Sequence, residues 1–132
     1  MIVLDTHAFY WSMTDPERLS EPARAAIESS TMTILSAASL YEIAYKVGSG
    51  NWPGAAGVLK KDLIAELGDT EAGLVLLPVS AEAMLLAGQF DRRHRDPFDR
   101  MIAATAITEN AAVISNDVKL DLLAPNDLRR VW

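Results

Sequence analysis

The sequence predicts an α/β fold, a parallel sheet flanked by helices, and three observations lead there. Short apolar runs recur at Ile2-Val3-Leu4, Thr31 to Leu35, Leu74 to Leu77 and Ala112 to Ser115. Between them lie longer stretches with apolar residues at helical spacing. Most of those stretches open on a residue that caps helices. Strands separated by helices of about 10–15 residues pair in parallel through crossovers, and a sheet built that way is covered by helices.

Each element has a local reason. Ile2-Val3-Leu4 is a short buried strand ending at Asp5, and a helix follows with Thr6 as its cap. Ser20-Glu21-Pro22 opens a second helix through about Ser29, with serine as cap and proline in the first turn. The β-branched run Thr31 to Leu35 is a strand. Ser36 caps the next helix, where Leu40, Ile43, Ala44 and Val47 share a face until Gly48 and Gly50 end it. Asn51 to Gly57 contains a loop, and an amphipathic helix runs from about Ala55 to Leu67, closed by Gly68. Leu74 to Leu77 is a strand stopped by Pro78. Ser80 caps a helix to about Phe90 or Arg92, and Asp96-Pro97 starts another that continues to about Asn110. Ala112 to Ser115 is a strand that Asn116-Asp117 leaves in a short helix or turn, and Arg130-Val131-Trp132 is a terminal edge strand.

Size and composition bound the function. The 132 residues suit one domain, and half of them are hydrophobic, an ordinary globular balance. No apolar run approaches the roughly 20 residues of a membrane-spanning helix, and MIVLDTHAFYW lacks the basic start of a signal peptide. With no cysteine, disulfides and thiolate metal sites are excluded. A cytoplasmic location is the default expectation. The net charge of −6 argues against a protein that coats nucleic acid by neutralising phosphates. It leaves room for an acidic metal site. Arg92, Arg93, His94, Arg95 and Arg100 form a local cationic patch, readable as a phosphate-binding surface or as a solvated helix end.

In an open parallel sheet, ligands bind at the carboxyl ends of the strands. Asp5 ends the first strand, Asp117 lies just beyond the strand Ala112 to Ser115, and Glu42 is on the helix leaving the strand that ends at Leu35. Taken singly, Asp5 reads as a cap, Glu42 as a surface residue, Asp99 as a complement to its helix dipole, and Asp117 as a turn residue. Their context changes the weighing. Glu42 is flanked by Leu40, Tyr41, Ile43 and Ala44, and Asp99 by Phe98, Met101 and Ile102. Carboxylates in such segments are partly buried, where an unpaired charge is costly. A hard divalent cation resolves that cost, and oxygen ligands suit Mg²⁺ or Mn²⁺. Asp96 is assigned to capping, and His7 and His94 to hydrogen bonding or phosphate contact. Arg100 is poised between binding phosphate and pairing with an acid. Phe9, Tyr10, Trp11 and Met13 are mostly core with enough excess for a binding groove, and Tyr41 and Tyr45 are assigned to core or dimer packing.

The opening IVLDTHAFYW, the segment SAASLYEIAYKVGSG, the run HRDPFDRMIAATA and the segment VISNDVKL resemble, in this order and over nearly the whole chain, the VapC-type PIN-domain toxins. The resemblance implies a PIN-like α/β/α fold and hydrolysis of RNA phosphodiester bonds with a divalent metal, Mg²⁺ or Mn²⁺. It makes Asp5, Glu42 and Asp99 the three core acids and Asp117 the fourth, with Ser115 supporting the last of them; Thr6 is a further candidate support, and Arg95 and Arg100 of the cationic patch are candidate RNA contacts. It also implies an antitoxin partner, which docks over the first helix, and a homodimer. Val118-Lys119-Leu120 departs from the family, replacing the common acidic turn that ends in an aromatic.

Other functions predict other residues. An aspartyl-nucleophile phosphatase carries a second aspartate two positions after the first, where this chain has His7. A dinucleotide-binding domain needs a glycine-rich turn after the first strand, and DTHAFYW has none. A non-catalytic PIN-like module that binds RNA or protein is the remaining alternative, against which the four acids stand.

Overall fold

The computed structural model describes residues 1–59, 62–67, 73–124 and 127–132. Five strands form one sheet: β1 (Ile2–Leu4), β2 (Thr33–Ser36), β3 (Leu74–Leu77), β4 (Ala112–Ile114) and β5 (Arg130–Val131), in spatial order β3-β2-β1-β4-β5. Every pairing is parallel; Val3 lies beside Ile34 on one side and Val113 on the other. The sheet faces are separated by the two-residue alternation of side chains. Val3, Ile34 and Val113 point into one core, and Ile2, Leu4, Leu35 and Ile114 into the other.

Helices close both faces. Residues of α1 (Thr6–Thr14), α2 (Glu21–Ser29), α3 (Ala37–Gly48) and α4 (Leu63–Leu67) pack on the Leu4–Leu35 face, with Phe9 and Ile43 fully buried. Residues of α5 (Ala81–Gln89) and α6 (Pro97–Thr108) cover the other. Ala103, Ala104 and Ala106 of α6 are inaccessible to solvent, and their small side chains let that helix approach closely.

Local signals act as the sequence implies at most helix ends. Ser20, Ser36, Ser80 and Asp96 each accept a backbone N–H of the first turn. The last turn of α6 is closed by Asn110 at φ 51°, with Ala111 N–H donating back to the Ala106 carbonyl. Asparagine is one of the few side chains that tolerate this left-handed conformation.

Two readings are corrected. The cap of α1 is Asp5, whose Oδ1 accepts the Ala8 N–H at 2.6 Å, while Thr6 is the first helical residue. The helix expected from Ala55 to Leu67 is two pieces, a 3-10 helix at Pro53–Val58 and α4; Gly68 lies outside the described residues. Of the two placements expected for Tyr41 and Tyr45, the structure removes the core: they are 62% and 57% exposed and stack on one another at 6.2 Å, a surface position that packing between copies would need.

The chain visits β1, β2 and β3 in one direction across the sheet, then returns to place β4 on the opposite side of β1. The connections therefore diverge between β1 and β4, and that switch point opens a crevice beyond the carboxyl ends of the two strands. Among the described residues, no helix is long and apolar enough to cross a membrane.

Candidate active site

A cavity of about 660 Å³ lies at this crevice. Asp5, Glu42, Asp99 and Asp117 all line it, and Asp96 joins them. They come from the end of β1, the middle of α3, the first turn of α6 and the turn after β4. Among the described residues, five carboxylates and two cationic side chains, Lys46 and Arg18, line this space, and Lys46 is paired with Glu42.

The acids differ in their surroundings. Asp5 is 5% exposed. Burial raises its pKa, while hydrogen bonds from the Ala8 N–H and the Ser115 hydroxyl pull it back and the charge of Glu42 adds to the rise. Ser115 thus serves the end of β1 from the end of β4, and its Oγ also accepts the Asp117 N–H at 3.0 Å. Arg130 holds the Ser115 carbonyl at 3.1 Å while its fork grips both oxygens of Asp121, which ties β5 to this turn.

Glu42 is 3% exposed. One of its oxygens accepts the buried Thr6 hydroxyl and the other meets the Lys46 ammonium one helical turn away. Thr6, displaced from the cap, therefore orients an acid. Asp99 accepts a hydrogen bond from, or donates one to, His94 Nε2 at 2.8 Å according to the protonation of the pair. Its pKa is pushed up to about 6, first by burial and then by the charge of Asp96, against the lowering effect of His94. Asp96 caps α6 through the N–H groups of Phe98 and Asp99 and also repels Asp99, so its role is double.

The ligand atoms of His94, Asp99 and Asp117 lie within 4.8 Å of one another. Asp5 and Glu42 face the same cavity with their oxygens already holding N–H, hydroxyl or ammonium donors. A hard divalent cation fits this donor set, because the carboxylates outnumber their cationic partners and burial already penalises their charge.

Arg100 departs from its expected place. Its Nε donates to the Ala87 carbonyl, Nη1 to Asp91 and His94, and Nη2 to Phe90, all at 2.7–2.9 Å. The guanidinium therefore satisfies carbonyls at the end of α5 and fixes the His94 loop, which leaves it one N–H for any phosphate. Replacing Arg100 with Met strands these acceptors and should cost about 3 kcal/mol, a fall in Tm of about 10 °C. A melting curve within 2 °C of the parent would refute that role. Arg92 and Arg95 are exposed and border a separate hollow with Arg100. Arg95 alone of the two arginines suggested as RNA contacts presents a free side chain to solvent.

Sequence reasoning missed four lining residues, Arg18, Lys46, Trp52 and Asn116, the last read only as part of a turn. Lys46 had a signal, its position four after Glu42 on the same helix. Trp52 and Arg18 had none, since only the fold brings them to α1 and α3.

Comparison with known proteins matches this arrangement to one family. The PIN domain family signature covers residues 2–124. Ribonuclease VapC22 of Mycobacterium tuberculosis is 32% identical over 120 residues, spanning 90% of this chain and 88% of that protein. Among solved structures, a chain of VapBC2 from Rickettsia felis, crystallised with a DNA fragment from the promoter, superposes with a TM-score of 0.63 at 18% identity, covering 98% of this chain and 97% of that one. DNA-bound VapBC from Salmonella typhimurium gives 0.62 at 19% identity, covering 98% and 95%. The chain belongs to the PIN-domain family and, within it, to the VapC type.

Proposed function

We propose that this chain is a divalent-metal-dependent endoribonuclease and the toxin of a toxin–antitoxin pair. The carrying observation is the convergence of five carboxylates from four elements on a cavity that, among the described residues, holds too few cations to neutralise them. Asp99 and Asp117 are the proposed principal metal-holding side chains, with His94 beside them and Asp5 and Glu42 completing the set. Thr6 and Lys46 keep Glu42 oriented, Ser115 braces Asp5 and the Asp117 backbone, and Arg95 meets RNA phosphate outside the cavity. A bound Mg²⁺ or Mn²⁺ would supply a more acidic water and offset charge on the phosphoryl and leaving oxygens. A carboxylate oxygen of the set accepts the water's proton. The water oxygen bonds to phosphorus, the bond to the 3′-oxygen breaks, and that oxygen takes a proton, leaving a 5′-phosphate and a 3′-hydroxyl.

A partner follows from the family. The VapBC structures are complexes by name, and a cognate antitoxin that covers this cavity is the counterpart for this chain, which we further propose to be a homodimer. The deciding experiment uses the purified chain free of any partner. It should cut RNA with Mg²⁺ or Mn²⁺ and lose at least about 100-fold in rate with EDTA. In a bacterial host its expression should arrest growth, and Asp5→Asn should relieve the arrest. Cleavage undiminished by EDTA would overturn the metal reading, and binding of RNA without cleavage in either metal would favour the non-catalytic module.

A further inference from the structure

The lining of the cavity also carries rings. His7 stacks on Trp52 with centroids 4.7 Å apart and planes 28° apart. Tyr10 tilts against the same indole at 4.9 Å. All three are half-buried and line the cavity. The Tyr10 hydroxyl donates to the Gly54 carbonyl at 3.2 Å, which pins the short segment carrying Trp52 against α1. Cations accompany the rings. Lys46 Nζ lies 5.7 Å from the Trp52 centroid, and the Arg18 guanidinium sits 4.5 Å over Trp11.

Tyr10 and Trp52 pack against the core on one side, yet each keeps ring surface exposed at a strongly acidic, hydrophilic cavity, where apolar surface in water is costly. Rings held by their neighbours, with cations beside them, match the way single-stranded nucleic acid is held: bases stack on aromatic side chains while the backbone meets positive charge. We propose that Trp52, with His7 and Tyr10, forms a stacking subsite for a nucleobase next to the cleaved phosphodiester, and that Lys46 and Arg18 meet the flanking phosphates. This rests on the nuclease reading, which places that phosphodiester at the acids of the same cavity. Every base has a π-face, so the subsite strengthens binding to single strands without choosing a base. Lys46 would then serve two partners, orienting Glu42 with one N–H and keeping two for substrate.

The test is binding, read separately from cleavage. Hexa-adenylate and a six-residue abasic sugar–phosphate oligomer carry the same backbone, and each is titrated into the chain in EDTA, with the oligomer recovered intact afterwards. The parent should bind hexa-adenylate about ten- to a hundredfold more tightly than the abasic oligomer. Trp52→Ala should remove that preference while leaving abasic binding unchanged, and Trp52→Phe should keep most of it. Equal affinity of the parent for both oligomers would overturn the subsite, and that comparison needs no variant. Retention of the preference by a folded Trp52→Ala chain would overturn it too. So would a Trp52→Ala loss confined to binding of an arginine-rich peptide, which would assign the wall to a protein partner. Failure of the nuclease reading appears elsewhere, as absence of cleavage with Mg²⁺ or Mn²⁺ in a chain that still binds hexa-adenylate.

Discussion

Asp99→Asn should lower the rate of RNA cleavage by at least about 100-fold, because it removes a charge from the side of the cavity where a cation is held. The substitution keeps the shape of the side chain and its hydrogen bond to His94, so the loss is one of charge, with folding intact. The informative control stands three residues earlier. Asp96→Asn also removes a charge at the cavity, yet asparagine caps helices as well as aspartate does. It should leave the rate within about tenfold and the Tm nearly unchanged. Single-turnover rates with saturating Mg²⁺, on proteins whose melting curves match, separate the two. Equal losses in both variants would mean that general negative charge matters and that Asp99 has no special position. A fall of less than tenfold for Asp99→Asn would remove it from the metal-holding set.

The metal-free protein should become less stable as pH rises from about 4 to about 6. Asp99 has a folded pKa of about 6 against 3.8 for an unperturbed aspartate. In that window the folded chain binds more protons than the unfolded one, so stability falls with rising pH and levels off above the folded value. A shift of this size corresponds to about 2–3 kcal/mol, and the raised pKa of Asp5 adds in the same direction. A cation that binds only the folded chain works against this penalty. At ten times its dissociation constant it adds about 1.4 kcal/mol, or roughly 3–6 °C in Tm. Asp99→Asn should flatten the pH dependence in chelator and remove most of the Mg²⁺ shift. Melts from pH 4 to 8, with EDTA or Mg²⁺ at constant ionic strength, give both numbers. Superimposable profiles for parent and variant would show that the strain of charge lies elsewhere.

What the sequence revealed and what it hid divide by the range of the interactions. Caps are local, and Ser20, Ser36, Ser80 and Asp96 could be read in place because each needs only its own first turn. The strands were legible because burial on both faces leaves unbroken apolar runs. Asp5 and Thr6 are both capping types, and one residue of uncertainty exchanged their roles. The supposed helix Ala55 to Leu67 has a subtler cause. Ala55, Val58, Leu63 and Leu67 are all buried, at separations that also suit one continuous helix. Periodicity reports which residues face the core, and it persists through a break in the backbone. For Tyr41 and Tyr45, helical spacing says that two rings meet but not whether protein or water surrounds them.

The candidate site shows the same division. The sheet rule brought Asp5, Glu42 and Asp117 to one edge, while Asp99 entered through its apolar surroundings and the family resemblance. Arg100 was misplaced because neighbours in sequence do not share a helix face. One step beyond Asp99, its side chain turns from the cavity to the end of α5. Trp52 and Arg18 belong to irregular segments whose position depends on packing, which no spacing within the sequence records.

The order of strands also sets a schedule. β1 precedes both of the strands that flank it, β2, which follows soon after, and β4, which comes only after α6. A polypeptide still being synthesised therefore has Asp5 and Glu42 at an open sheet edge, with neither Asp99 nor Asp117 across from them. The crevice closes late, when β4 docks beside β1 and brings Ser115 to brace Asp5. A fragment that ends before β4 lacks Ser115 and Asp117, however well its helices form. A partner that covers the cavity has its whole surface to meet only once β4 lies beside β1.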